Sequence, residues 1–177
     1  MSTQTQKQNL EAVDVDHSPT RVSSLAAVAA ALIAAVTSAP FAVLAVPLGF
    51  GGLAILASGL FGEPSRARVT LGAAGLFLSV LVAGGFGTPA EVLLISMIGT
   101  LLAWDLGQHA IGLGEQVGSH SQTQRNEIVH ASLSAMVATI SAAIGYLVFA
   151  TAGDGRPVSA LILLLVAVVF LAWALRT

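Results

Sequence analysis

The amino-acid sequence predicts an all-α fold: a polytopic transmembrane bundle of six helices in which helices 4 and 5 extend into a cytoplasmic helical hairpin. Six long apolar blocks carry that prediction, most of them approaching the ~20 residues that a bilayer core demands. Composition agrees. Hydrophobic residues make up 55% of the chain and charged residues 9%, and the mean hydropathy of +0.87 exceeds what a soluble domain of this size tolerates. Finally, the connectors between blocks place six of the seven Lys and Arg residues on one side of the membrane.

Residues 1–21 are polar and rich in Gln, with Glu11, Asp14 and Asp16 set against Lys7 and Arg21. They read as a disordered cytoplasmic tail, and residues 22–177 as the bundle. A cleavable leader fits less well, because this segment is long and mildly acidic and Pro40 follows the cleavage-like Thr37 and Ala39. Helices 1 and 2 are expected at 22–39 and 41–61. As one helix this stretch would be about 60 Å long against a core of about 30 Å, so a tight turn near Ser38, Ala39 and Pro40 is expected instead.

Helix 2 carries Pro47, Gly49, Gly51 and Gly52, a candidate helix kink. A proline inside a helix frees a carbonyl, and broken helices can line substrate sites in transporters. The plainer reading is a kink packed against neighbouring helices, and no charge accompanies it. Helix 3 is expected at 69–86, helix 4 at 89–118, helix 5 at 124–150 and helix 6 at 158–175, with Gly and Pro at the intervening ends. Aromatics are only 6% of the chain. Packing must therefore rely on small residues at four-residue spacing, namely Ala26, Ala30 and Ala34, Ser134, Ala138 and Ala142, and Ser141 and Gly145.

Orientation follows from the basic residues. Lys7 and Arg21 precede helix 1, Arg66 and Arg68 lie between helices 2 and 3, Arg125 lies between helices 4 and 5, and Arg176 follows helix 6. Arg156 alone falls outside. The positive-inside rule then sets both termini in the cytoplasm of a multi-pass protein of the cell membrane.

The connector from Trp104 to His130 departs from simple hydropathy. Leu102, Leu106, Ala110, Leu113 and Val117 recur at helical spacing, opposite Asp105, Gln108, His109, Gly112, Glu115, Gln116 and Ser119. Helix 4 is thus expected to run on past the membrane. After cap-type Ser121 or Thr123, Glu127, His130 and Ser134 share one face leading into helix 5. A turn near His120 would bring Glu127 to Gly114 and Glu115, and His130 to Gly112 and His109. Asp105, Gln108, His109, Glu115, Gln116, Arg125, Glu127 and His130 form the candidate polar interaction cluster. Its expected form is a hydrogen-bond network, with His130 held by Asp105, His109 or Gln108, and Glu115 or Glu127 meeting Arg125.

Other chemistries lack their parts. Glu127 and His130 have the Glu-x-x-His spacing of di-iron bundles, but those need a second such pair and two more Glu, so no metal or cofactor is expected. Ser132, Ser134, His109 and Asp105 could be cast as a triad, yet no nucleophile-elbow or intramembrane protease motif frames them. The chain has no Cys, which removes disulfides and thiol catalysis. No phosphate-binding loop is present, and a net charge of −2 without a basic patch gives no footprint for nucleic acid.

The run WDLGQHAIGLGEQVG followed by TQRNEIVHAS resembles an uncharacterised family of small haloarchaeal multi-pass membrane proteins, a domain of unknown function. Trp104, Asp105, Gly107, Gly114, Glu115, Gln116, Gly118, Glu127 and His130 carry the resemblance, while the other helices match in hydropathy only. In that family a basic residue often follows the glycine matching Gly118. Ser119 departs from this, and Arg125 is the nearest substitute. The resemblance implies a fold and a setting, alongside partner proteins of an envelope or chaperone-ATPase system, and no established activity.

The expected function is a non-enzymatic membrane scaffold or accessory subunit. It would sit in the lipid bilayer and engage partner proteins, or further copies of itself, through the 105–130 hairpin. A small transporter or channel using the broken helix 2 is the alternative.

Overall fold

The computed structural model describes residues 18–117 and 124–151. Among these residues five α-helices follow one another: α1 (Arg21–Ser38), α2 (Ala45–Phe61), α3 (Arg66–Gly85), α4 (Ala90–Val117) and α5 (Gln124–Thr151), with a 3-10 turn at Ala39–Phe41. No strand occurs among the described residues. The tail before Ser18, the expected turn about His120 with Gly118, Ser119 and Ser121, and the 158–175 segment with Arg156 and Arg176 beside it lie outside them.

The chain turns at the expected Ala39 and Pro40, but α2 starts later than expected. Ala42 is extended (φ −151°, ψ 129°) and separates the 3-10 turn from the helix. Pro47 is therefore the third residue of α2. In a first turn the N–H groups have no intrahelical acceptor, so this proline removes no helical hydrogen bond. The expectation of a proline inside helix 2 is corrected accordingly. At α3 the shift is the other way: the helix begins three residues before the apolar block, where Ser65 Oγ accepts the Arg68 N–H at 3.4 Å and caps it.

Four stretches, Arg21–Phe41, Arg66–Gly85, Ala90–Gln116 and Gln124–Thr151, are long and apolar enough to cross a membrane. α2, with 17 residues, is about 26 Å long.

α1 occupies the centre, antiparallel to α4. The Thr37 and Ser96 hydroxyls meet at 2.6 Å near one end, and the Thr20 N–H donates to the Ala110 carbonyl at 3.1 Å at the other. α2 pairs with α3, α3 also packs on α4, and α5 lies outermost against α4, with a further contact to α1. The inward face of α1 is small, with Ala27, Ala31, Ala34 and Ala35 buried, whereas Leu25, Leu32, Ile33 and Val36 point outward. Bulky groups outside and small ones inside suit lipid, where close backbone approach replaces the hydrophobic force. Two buried hydroxyls between α1 and α3 satisfy each other: Ser38 and Ser79 meet at 2.9 Å, and Ser79 donates to the Ala45 carbonyl at 2.8 Å.

The closest approach is between α2 and α3. A Cβ added at Gly72 would lie 2.5 Å from the Leu56 nitrogen and 2.6 Å from the Gly52 carbonyl oxygen, whereas one at Gly51 would meet nothing within 4 Å. Gly72→Ala is therefore expected to force the two backbones apart and destabilise the bundle by about 1–3 kcal/mol, lowering the thermal midpoint in detergent. Gly51→Ala should leave the midpoint unchanged or slightly raised, because alanine is the better helix former. Equal effects of the two substitutions would contradict this packing.

Candidate functional site

All four basic residues among those described stand at one end of the bundle. Arg21 opens α1, Arg66 and Arg68 lie in the first turn of α3, and Arg125 is the second residue of α5. Asp105, Gln108, His109 and Glu115 of α4 and Glu127, His130 and Ser134 of α5 gather at the same end and join three different pairs of helices.

The first group joins α4 to α5. Asp105 Oδ2 accepts from Ser134 Oγ at 2.7 Å and lies 3.1 Å from His130 Nε2. The His130 ring stacks on His109 with centroids 3.8 Å apart and planes inclined by 12°. Asp105, His109, His130 and Ser134 thus meet because the antiparallel pairing of α4 and α5 brings successive turns into register. His130 was expected beside His109, and its ring lies there.

The second group joins α5 to α1. Glu127 is 3% exposed, and its Oε2 accepts from the Ser23 N–H at 2.8 Å and the Ser23 hydroxyl at 2.9 Å. Ser23 is the third residue of α1, one of the positions whose N–H has no acceptor within its own helix. Thr20, at the cap position, makes no side-chain cap bond. A carboxylate from a distant helix therefore supplies the cap, and its negative charge meets the positive end of the helix dipole. The expected neighbourhood of Glu127 did not include α1. Nothing in the local pattern around Ser23 announces a partner 104 residues away.

The third group joins α4 to α3. Arg66 Nη2 meets Glu115 Oε2 at 2.7 Å with both side chains about half exposed, and Arg66 Nη1 donates to Gln108 Oε1 at 3.3 Å. The Gln108 amide in turn donates to the Arg66 carbonyl at 3.1 Å and to Thr70 Oγ1 at 3.0 Å. Trp104 Nε1 reaches the same Thr70 hydroxyl at 3.3 Å. Glu115 thus pairs with Arg66 and not with Arg125, as does Glu127 with Ser23. Residues two apart on a helix do not face each other, which removes Arg125 from the reach of Glu127. Gln116 and Arg125 are exposed.

Several chemical options can be placed against this geometry. Ser134 and His130 both bind the same oxygen of Asp105, so the carboxylate stands between hydroxyl and imidazole, not behind the imidazole as a triad requires. The Ser132 hydroxyl turns back to the Ile128 carbonyl at 2.8 Å. Glu127 and His130 share a face yet engage different partners, and no group of three or more His, Asp or Glu among the described residues is placed to hold a metal. In α2, a Cβ at Gly52 would lie 2.6 Å from the Gly72 carbonyl oxygen, and one at Gly49 would lie 3.0 Å from Ser79 Oγ. These two glycines thus bring helices together.

Removing the Glu127 carboxylate should leave the Ser23 N–H without its acceptor. Loss of a hydrogen bond to a charged group costs about 1.5–3 kcal/mol. Glu127→Ala is expected to lower thermal stability in detergent by that order. Glu127→Gln keeps an acceptor and loses only the charge–dipole part, about 0.3–1 kcal/mol. A Glu127→Ala protein as stable as the parent would contradict the capping role.

No curated protein and no solved structure matches this chain. A family of unknown function (DUF7519) matches residues 17–172, which includes all three groups of the polar cluster. This agrees with the resemblance drawn from the hairpin residues at the level of an uncharacterised family. With nearly its whole length matched, the chain belongs to the family of unknown function DUF7519.

Proposed function

We propose that this protein is a six-helix integral membrane protein of the cell membrane that acts as a non-enzymatic scaffold or accessory subunit. Residues 118–123 join α4 and α5 as the turn of a cytoplasmic hairpin, the 158–175 segment crosses the membrane a sixth time, and both termini are cytoplasmic. The hairpin engages partner proteins through its exposed rim.

The observation that carries this reading is the division of labour at the basic end. Asp105, His130 and the buried Glu127 bind other helices, which favours a structural role for them over a chemical one. Gln116 and Arg125 remain exposed, and the Arg66 and Glu115 pair is half exposed at the same end. Exposed charges of this kind suit protein contact, where they act on encounter and specificity. The collection of Arg21, Arg66, Arg68 and Arg125 at that same end supports the cytoplasmic assignment. The transporter reading gains no support from α2, whose Pro47 lies in the first turn and whose Gly49 and Gly52 pack against neighbouring helices.

Two measurements test this reading. Cysteines introduced into the cysteine-free chain at Ser65, Ser121 and Thr177 should react with an impermeant reagent only from the cytoplasmic side, and one at Asp154 only from outside. External reaction at Ser121 would overturn the topology. Separately, Arg125→Glu should leave thermal stability in detergent unchanged while reducing recovery of partners crosslinked in native membranes. Unchanged recovery would overturn the role of the rim.

A further inference from the structure

An open groove runs along α5, bounded on its other side by α4 and, toward the Thr151 end, also by Phe77, Val80, Leu81 and Gly84 of α3. Its two halves meet at Leu94 and Met97, which line both, and the half toward the basic end closes on Asp105 and Ser134. Beside Leu133, Val137, Tyr146 and Phe149, the α5 wall carries the small residues Ser134, Ala138, Ser141, Ala142 and Gly145. These are two sets at four-residue spacing, the arrangement that lets another helix approach closely. A Cβ placed on Gly145 would meet nothing within 4 Å. No part of the apolar window of α5 is buried. Elsewhere in this bundle small residues seat neighbouring helices, as Gly99 does with Ala30 and Ala34, and Gly72 with Gly52 and Leu56, although Gly51 and Gly85 are open like Gly145.

We infer that this groove is the seat of the chain's own 158–175 segment, packed antiparallel to α5; this rests on the six-helix reading above. Three facts select that occupant. Only six residues, 152–157, separate the end of α5 at Thr151 from Val158. Fully extended, a connector of that size spans about 25 Å at most, and short connections make consecutive helices antiparallel neighbours. The segment has 18 apolar-rich residues, about 27 Å as a helix, which covers the run of the groove from Gly145 to Ser134, about 16 Å, with nearly two turns to spare toward the Thr151 end. Symmetric pairing about the connector sets Leu164 opposite Gly145, Ala167 opposite Ala142 and Leu171 opposite Ala138. Bulky leucines then face the smallest positions of the stripe. The same register delivers Arg176 to the end of the groove where Asp105 keeps a side-chain exposure of 41%, so charge is complementary as well.

Cysteine pairs in the full-length, otherwise cysteine-free protein test the inference in native membranes. Ala142→Cys with Ala167→Cys, and Ala138→Cys with Leu171→Cys, should form a disulfide within one chain on mild oxidation. Ile140→Cys, on the opposite side of α5, paired with Leu171→Cys should not. Links between two chains from the groove positions would mean that a second copy fills the groove, and would overturn the inference. So would links from Ile140→Cys in place of the groove positions. Absence of any link, with the groove cysteines modified by a lipid-soluble maleimide, would assign the groove to lipid and overturn it too. Labelling of Thr177→Cys separates the two levels. Cytoplasmic reaction without groove crosslinks defeats the docking alone, and external reaction defeats the six-helix reading.

Discussion

The N-terminus of α1 is closed by a carboxylate that belongs to another helix, and the placement of α5 follows from it. A helix leaves its first N–H groups without acceptors, and near hydrocarbon those groups cannot rely on water. Here Thr20 donates its own N–H to the Ala110 carbonyl, and Ser23 receives Glu127. The central helix is thereby tied to α4 and α5 at one point. One turn beyond Glu127, His130 meets Asp105 and stacks on His109. A further turn on, Ser134 binds the same carboxylate. The small residues of α5 then face along α4 toward the other end, where Tyr146 donates to Glu91 at 2.6 Å.

Two kinds of attachment coexist in the bundle. α2 and α3 are held by backbone proximity, with glycines where any side chain would collide. α5 is held by polar contacts near its two ends, while its apolar window stays unburied. Backbone packing resists change everywhere along its length. Polar anchoring concentrates sensitivity in a few groups, since leaving one partner of a buried pair unsatisfied costs more than the pair contributes net. The basic end is therefore where single substitutions should weigh most on how α5 is held.

Much of the architecture was legible because hydropathy is a direct record of lipid contact. The separation of α1 from α2 followed from length alone, since 40 apolar-rich residues cannot cross once. The continuation of α4 beyond the apolar block followed from the periodicity of Leu102, Leu106 and Ala110, and the helix runs to Val117. The meeting of His130 with His109 followed from antiparallel counting. Helix starts were less legible. Arg66 and Arg68 fall outside any apolar window, so the start of α3 is visible only through Ser65 as a cap. Pro47 lies near enough to Pro40 that the beginning of α2 depended on a single extended residue, Ala42.

The pairing of charges was the least legible part. Arg125 is close to Glu127 in sequence, but on a helix the two point apart. Arg66 is far from Glu115 in sequence, yet α3 brings its first turn against α4. The cap at Ser23 depends on the same kind of long-range juxtaposition. Hydrogen–deuterium exchange of the α1 amides in lipid nanodiscs tests it most directly. In the parent protein the Ser23 amide should be as protected as the middle of α1. In Glu127→Ala that protection should be lost in the first turn while Ala30 and Ala34 remain protected. Equal exchange at Ser23 in the two proteins would show that the carboxylate does not hold the helix end, and would contradict this account.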